Sequence, residues 1–462
     1  MHRTLAAVPG LLLLPTLLHA QGPADHVVLV SIDGLRPEFV LDASWPAPTL
    51  QRGRELGACA RGMRSVFPSV TYPAHSTILT GALPARHGIY YNSPFEPEGA
   101  TGRWYWESDS IRVETLWDAV REAGRTTASL SWPVSVGAPV TWNVPEIWSL
   151  DDRVPRMEVV AATVTPAGLL DELEREATGR LVAYGPGGRP SEDAQTFAWW
   201  DERTTRMAEY VIGRYRPTLL TVHLVDPDHQ QHDHGREARE VVEAVSAADR
   251  ALGRMQAAAR RAGILDRTAF VVVGDHGFVD TSTRIAPNVW LVEAGLRGPG
   301  ADRGSWRATF HPSGGSAFLH LADASDEAAA RAARRVVEGV DPAVRALFQI
   351  VERDSLDALG ADPRVPFALA AERGVELTGH ATGPAVSATH RATHGYLPTL
   401  HPDILTGFVA WGAGVRPGGV LPRMDVEDVA PFVAALLGLS FEAPDGVLRP
   451  DLLAPEVAGA RR

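Results

Sequence analysis

Seven side chains in this 462-residue sequence are the candidates for holding metal ions or acting as a nucleophile: Asp33, Thr71, Asp228, His232, Asp275, His276 and His394. Thr71 lies in the stretch VFPSVTYPAHSTILTGALPARHGIYYN, Val66 to Asn92, directly ahead of Tyr72, Pro73, Ala74 and a short apolar-periodic run. It reads as a helix N-cap, with Pro73 in the first turn where its missing N–H costs nothing. A hydroxyl at that point faces free backbone N–H groups and the positive end of a helix dipole, which suits an anion such as phosphate. Capping threonines are common, so the weight of this reading comes from the other six groups.

Asp228 and His232 are four residues apart at the start of a helical turn, so both can face one ion. Asp275 and His276 follow a strand, where adjacent side chains can splay toward one metal. Nitrogen and oxygen donors without cysteine suit zinc and, less selectively, manganese or iron. Seven such groups suit two neighbouring ions, and a pair about 4 Å apart can hold both the attacking and the leaving oxygen of an in-line displacement at phosphorus. Spacing alone does not choose among neighbours: His223, Asp226, His229, Asp233 and His234 are equally capable by chemistry, as are His390 and His401 beside His394.

These groups need elements that converge. His26 to Ile32 is an apolar, β-branched run of the kind found in central strands covered on both faces, and it ends in Asp33-Gly34. Thr218 to Val225 ends in Asp226, Pro227, Asp228, and Thr268 to Val273 ends in Gly274, Asp275, His276, Gly277. Helical patterns at Glu114–Glu122, Gln195–Tyr215 and Glu237–Ala262 separate these strands and a fourth at Thr126–Ser131. Carboxylates delivered at successive strand ends, with helices between, describe an α/β, doubly wound, mostly parallel sheet with one functional edge. The interval 288–382 breaks that rhythm and reads as a small α+β insertion: strands at Ser316–Leu321, Gln349–Arg353 and Phe367–Leu377, and a helix at Ser325–Val337. The core then resumes through 383–462, with the histidine-rich Ala388–His401, a strand near Gly407–Trp411 and a helix at Val426–Leu437, so that 21–287 and 383–462 form one unit. Polar loops at Ser93–Asp109, with Trp104, Tyr105 and Trp106, and at Thr178–Asp193 are long enough to rim a pocket.

Composition narrows the chemistry. The formal net charge is −12 and no residue is lysine, so all 44 basic residues are arginine. That excludes a Walker lysine, a Schiff base and a lysine general base. Overall acidity argues against a nucleic-acid-coating protein, which needs a basic footprint, but leaves small anionic substrates open where metal ions supply positive charge. Residues 1–20 read as a secretory signal peptide: Arg3, an apolar core broken by Pro9, Gly10 and Pro15, then Leu18, His19, Ala20. The apolar core is too short for a comfortable membrane span, and the single cysteine, Cys59, expected as a buried apolar residue, provides neither a lipid anchor nor an intrachain disulfide. The mature protein is thus expected to be exported, periplasmic or secreted, without a membrane anchor.

Five segments in order, VSIDGLRPEF, FPSVTYPAHSTILTGALPARHGIYYN, VDPDHQQHDHG, VVVGDHGF and THGYLPTLHPDI, resemble the nucleotide pyrophosphatase/phosphodiesterase family of the alkaline phosphatase superfamily. The resemblance runs from about residue 26 to residue 415. It implies an alkaline-phosphatase-like fold and two zinc ions, one on Asp228, His232 and His394, the other on Asp33, Asp275, His276 and the Thr71 oxygen. It implies Thr71 as the nucleophile, Asn92 as a donor to a phosphate oxygen, and Tyr72 as an aromatic that stacks on a nucleobase, with Trp132, Trp142 and Trp148 as further candidates for the aromatic wall. Pro73-Ala74-His75 departs from the family's common Pro-Asn-His, which weakens a vertebrate-type assignment more than the chemistry.

The expected activity is cleavage of phosphodiester or pyrophosphate bonds of nucleotides or related small molecules through a phosphothreonine. A sulfatase would need Cys/Ser-x-Pro-x-Arg, which Ser69 to His75 does not supply. A threonine phosphomonoesterase shares Thr71, Asn92 and the ligand set, but typically adds a lysine and an arginine where this chain reads Ser131-Trp132-Pro133. An inactive binding protein on the same fold is the third reading, and retention of all seven ligand-grade residues argues against it.

Overall fold

The computed structural model describes residues 23–96, 101–151, 153–181, 196–300 and 306–459. The signal peptide expected at 1–20 and most of the Thr178–Asp193 loop lie outside these residues. Strands β1 (His26–Ile32), β2 (Ala58–Arg64), β3 (Thr127–Leu130), β4 (Trp142–Val144), β5 (Leu219–Leu224) and β6 (Thr268–Val273) come first in the chain. Seven strands that build two smaller sheets follow: β7 (Val279–Ile285), β8 (Ala308–Pro312), β9 (Ser316–Leu321), β10 (Phe348–Glu352), β11 (Phe367–Ala371), β12 (Val375–Leu377) and β13 (Val386–Thr393). β14 (Thr406–Gly412), β15 (Gly419–Leu421) and β16 (Met424–Asp425) return to the central sheet.

That sheet runs β15-β2-β14-β6-β1-β5-β3-β4, with β16 also on β2. β1 pairs parallel with both β5 and β6, so the strands that precede Asp33, Asp226 and Asp275 are immediate neighbours with their C-terminal ends on one edge. Adjacent strands lie only about 4.8 Å apart, which brings the groups after them together. The sheet is mixed rather than wholly parallel, because β14 runs antiparallel to β6 and to β2. β2 therefore runs in the same direction as β6 and delivers the chain toward Thr71 at the same edge.

Alternation along β1 explains why the strands are apolar throughout. Val28, Val30 and Ile32 pack on one face with Val241, Val245 and Leu252 of the Arg239–Arg261 helix. Val27 and Leu29 pack on the other with Val429, Val433 and Leu436 of the Val429–Leu437 helix. Side chains of period two thus fill two cores, and a strand buried on both faces shows no polar alternation. Cys59 is buried in β2 and free.

β8 to β11 form a four-stranded antiparallel sheet ordered β10-β11-β9-β8, and β7 pairs with β12 and β13. The expected strand Phe367–Leu377 is two strands, β11 and β12, that join different sheets. β2, β4, β7, β8, β13, β15 and β16 have no counterpart among the strands expected from the sequence. ACARGMR, VDTSTRI and VSATHRAT interrupt their apolar residues with arginines or hydroxyls, and their apolar content falls below that of a recognisable strand core.

The helix that follows Val70 spans Thr71–Thr80 and is buried along its whole length. His87 fixes it to the turn beyond: the Ile89 N–H donates to its Nδ1 at 3.1 Å, and its Nε2 lies 3.0 Å from the Thr77 hydroxyl. Accepting at Nδ1 requires the neutral ring, and burial accordingly lowers the His87 pKa to about 3. In the unfolded chain an imidazole takes up its proton near pH 6.5, so the neutral ring favours the fold fully above that pH and progressively less as pH falls toward 3, by about 1.4 kcal/mol per pH unit. His87→Gln, which keeps an acceptor and a donor but cannot titrate, is expected to flatten the loss of thermal stability between pH 6 and pH 4. Melting temperatures of both proteins across that range check it, and parallel curves would remove His87 as the cause.

Candidate active site

Asp33 directly follows β1, and Gly34 turns the chain away from it at a φ of +66°. A Cβ on Gly34 would come within 2.7 Å of the Phe278 ring and 2.8 Å of the Gln231 amide, so only glycine fits this close approach. The Gly34 N–H also donates to Asp275 Oδ1 at 3.1 Å, tying the ends of β1 and β6 together. Asp228 and His232 lie in the Asp226–His234 helix that follows β5. Asp201 anchors that helix by accepting from the Val225 and Asp226 N–H groups. His394 arrives by a different route. β13 pairs antiparallel with β7 with Thr393 opposite Val279, which brings the next residue back alongside Phe278 and His276. The His276 and His394 rings stack at 3.6 Å.

The six metal-type ligands expected from sequence therefore converge. Asp33, Asp275 and His276 form one group, and Asp228, His276 and His394 a second, with ligand atoms in each within 4.8 Å of one another. His276 is common to both. His232 adjoins the second group, its Nε2 3.6 Å from Asp228 Oδ1. Three carboxylate oxygens, Asp33 Oδ1, Asp228 Oδ1 and Asp275 Oδ2, are buried without a hydrogen-bond partner among the described residues. Burial, then Asp275 and Asp228, push the Asp33 carboxyl well above its usual range. Buried acceptors that face one another without donors are costly unless cations fill the space between them.

The histidines are set up to match. His232 Nδ1 lies 2.9 Å from the Ala392 carbonyl and His394 Nδ1 3.1 Å from the Ser69 carbonyl. His276 Nδ1 is 3.3 Å from the Gly277 carbonyl. Each Nδ1–H donates to backbone and leaves the Nε2 lone pair toward the carboxylates, the arrangement that orients metal-binding imidazoles. Burial, then the neighbouring His276 and His232, lower the His394 pKa well below the ordinary histidine value, which keeps that lone pair free. The residues present fit divalent cations with nitrogen and oxygen ligands, zinc among them.

Thr71 sits at the first helical position rather than at the cap. Val70 is the N-cap, and no side chain caps this end. The Thr71 hydroxyl thus engages no helix N–H and lies 3.5 Å from His276 Nε2. Asn92 accepts the Tyr72 N–H at its Oδ1, 2.9 Å away, which orients the amide and leaves its NH2 as the donor.

Tyr72 differs from the expectation of a base-stacking ring. It is fully buried, donates its hydroxyl to Glu146 Oε1 at 2.9 Å, and meets Trp104 edge-on at 5.0 Å. A cavity of about 310 Å³ opens on Asp33, Thr71 and Asp228, and its aromatic wall is Trp104, Trp148 and Phe197, with Tyr72 behind it. Of the other tryptophans considered, Trp132 is buried against His75 and Trp142 stacks on Tyr215. His223, one of the open alternatives as a ligand, has both nitrogens engaged: Nε2 3.0 Å from Asp33 Oδ2 and Nδ1 2.8 Å from Glu146 Oε2. Glu146, Arg156 and Phe197 line the cavity and had no recognisable spacing in the sequence. Of the aromatic wall, Trp148 and the tryptophan-rich loop around Trp104 are the parts that the sequence signalled.

Strand-end carboxylates, two Asp/His groups that could hold metal ions and a threonine at a helix start define a hydrolase-type site on an α/β sheet. A family model for type I phosphodiesterase / nucleotide pyrophosphatase matches residues 27–397, and the chain belongs to this family. It is 23% identical over 267 residues to mouse ectonucleotide pyrophosphatase/phosphodiesterase family member 1, covering 57% of this chain and 25% of that protein. It is 24% identical over 277 residues to human family member 7, covering 58% of this chain and 51% of that protein. The alignments thus span about a quarter and about half of those relatives. The structure is similar to human ectonucleotide pyrophosphatase / phosphodiesterase 5, with a TM-score of 0.65 and 18% identity over 91% of this chain and 97% of that one. A murine structure of the same name, inactive and in complex with AMP, aligns with a TM-score of 0.64, 17% identity and coverage of 93% of this chain and 100% of that one. The fold is therefore alkaline-phosphatase-like, a mixed, mostly parallel sheet flanked by helices.

Proposed function

We propose that this protein is an exported two-zinc hydrolase that cleaves phosphodiester or pyrophosphate bonds of nucleotides or related small molecules through a phosphothreonine. The observation that carries the reading is the juxtaposition of the Thr71 hydroxyl with carboxylate oxygens that lack donors among the described residues, beside one aromatic-walled cavity. Family membership and the AMP complex of the murine neighbour support a nucleotide-type substrate.

Asp228, His232 and His394 would hold one ion, and Asp33, Asp275, His276 and Thr71 the other. Bound zinc supplies Lewis acidity, favouring the threonine alkoxide and neutralising charge at phosphorus. Thr71 Oγ1 bonds to phosphorus as the bond to the leaving oxygen breaks, and the first product departs. Water then breaks the Thr71–phosphorus ester, releasing the second product and restoring the hydroxyl. The Asn92 NH2 donates to a non-bridging oxygen, which matters most as charge builds up there. His223, held from its far side by Glu146, fixes the Asp33 carboxylate in place. Residues 288–382 are proposed as an α+β insertion in the catalytic unit formed by 21–287 and 383–462.

One observation favours a second reading. Arg156 lines the same cavity as Thr71, and a guanidinium reaching the reacting phosphate would suit a dianionic monoester. Comparison of kcat/KM for a bis-aryl phosphate and the matching mono-aryl phosphate separates the two. The diester is expected to be preferred, because its second substituent can be buried against Trp104, Trp148 and Phe197, and binding energy from a remote group can be used in the transition state. A monoester preference of about tenfold or more, about 1.4 kcal/mol, would make the protein a phosphatase.

A further inference from the structure

Arg156 begins the helix Arg156–Thr163, and its guanidinium lies over Trp200 at 4.7 Å and Trp148 at 5.7 Å. Its Nε and Nη2, the two nitrogens of the side-on fork, are buried and have no hydrogen-bond partner among the described residues. Two carboxylates act on it through space, Glu146 and Asp201. Both are committed elsewhere. Glu146 takes the Tyr72 hydroxyl on one oxygen and His223 on the other, and Asp201 takes the Val225 and Asp226 N–H groups. Two buried guanidinium nitrogens without a hydrogen-bond partner are costly, and buried charges in proteins are ordinarily paired. Nevertheless, Arg156 lines the cavity that opens on Thr71.

We propose that Arg156 recognises a second anionic group, a carboxylate or phosphate carried on the organic substituent that this cavity receives, and so selects substrates that bear one. The position favours that group over the reacting phosphate. His223 links Asp33 to Glu146, which acts on Arg156 through space, and the guanidinium lies against Trp148 of the aromatic wall that would receive the substituent. The two-donor edge of a guanidinium matches a planar two-oxygen anion, and stacked indoles hold its plane. This inference rests on the phosphodiesterase reading above.

The test uses the full mature protein and three 4-nitrophenyl aryl phosphates whose second ring carries hydrogen, a carboxylate or a phosphonate. The carboxylate and phosphonate arms tell which anion the fork prefers. The wild type is expected to favour at least one anionic ester over the phenyl ester by about tenfold or more in kcat/KM, the scale of a charged hydrogen bond. In Arg156→Met that ratio should fall to near one, and in Arg156→Lys, which keeps charge but loses the fork, part of it should persist. Because each ratio compares two substrates on one protein, general loosening of the fold cancels. A wild-type ratio near one, or an unchanged ratio in Arg156→Met, overturns the inference while leaving diester hydrolysis intact. Should no diester be cleaved, the proposed function fails instead. Calorimetry of 3-carboxyphenyl phosphate against phenyl phosphate on Thr71→Ala protein with and without Arg156→Met then decides the role of Arg156 separately: equal affinities in both proteins overturn it, and a preference abolished by Arg156→Met upholds it.

Discussion

Thr71→Ala is expected to lower kcat toward a phosphodiester by about 10²- to 10⁴-fold, the scale of losing a nucleophile or its activation. The hydroxyl makes no helix cap, so its removal breaks no structural hydrogen bond of the Thr71–Thr80 helix. Thr71 is also one donor among several, and the remaining ligand groups, including Asp33, Asp275 and His276, stand without it. Loss of turnover should therefore come with nearly normal metal content and melting temperature. Steady-state kinetics and elemental analysis on the same preparation check both halves. Near-normal turnover in a folded, metal-loaded variant would point to direct attack by water and remove the phosphothreonine from the reaction.

The strands that carry the chemistry were legible because both their faces are covered. HVVLVSI, TLLTVHLV and TAFVVV lack clean polar alternation, and each is followed within two residues by an aspartate. These are β1, β5 and β6, and their parallel pairing places the acidic ends together. The strands that escaped notice are those whose burial depends on partners distant in sequence. β13 is the clearest case. Most of its outward residues are polar, yet its pairing to β7 is what returns His394 to His276. A periodicity rule reads local alternation, and VSATHRAT offers none that separates a strand from a loop.

The side chains of the site divide in the same way. Ligands at strand ends and at the Asp228/His232 spacing are recognisable because one element carries them. The cavity wall is assembled from Trp104, Trp148 and Phe197, which lie on three separate segments, and only the tertiary fold brings them together. The displaced role of Tyr72 has a local cause. A ring one residue into a fully buried helix points into the interior, where Glu146 takes its hydroxyl, and Trp104 covers it.

Removal of the metal ions is expected to have the other large effect. Three carboxylates share the site, with Asp33, Asp228 and Asp275 each contributing an oxygen that lacks a donor among the described residues. Without cations their mutual repulsion is uncompensated, so chelation should abolish turnover and also lower the melting temperature. An ion present at a thousand times its Kd contributes about 4 kcal/mol to stability, so the shift is large enough to read, and zinc should restore both properties. Two zinc ions per mature chain are expected by elemental analysis, and one or none after zinc-replete purification would sink the two-ion site. His232→Ala should lose its ion, since its Nε2 is 3.6 Å from Asp228 Oδ1 while its Nδ1 is held by the Ala392 carbonyl. His229→Ala should keep both ions, because that ring faces Asp233 and Phe197. His234→Ala should do the same, being exposed at the far end of the helix. Equal metal loss in all three variants would remove His232 as the particular ligand of this helix.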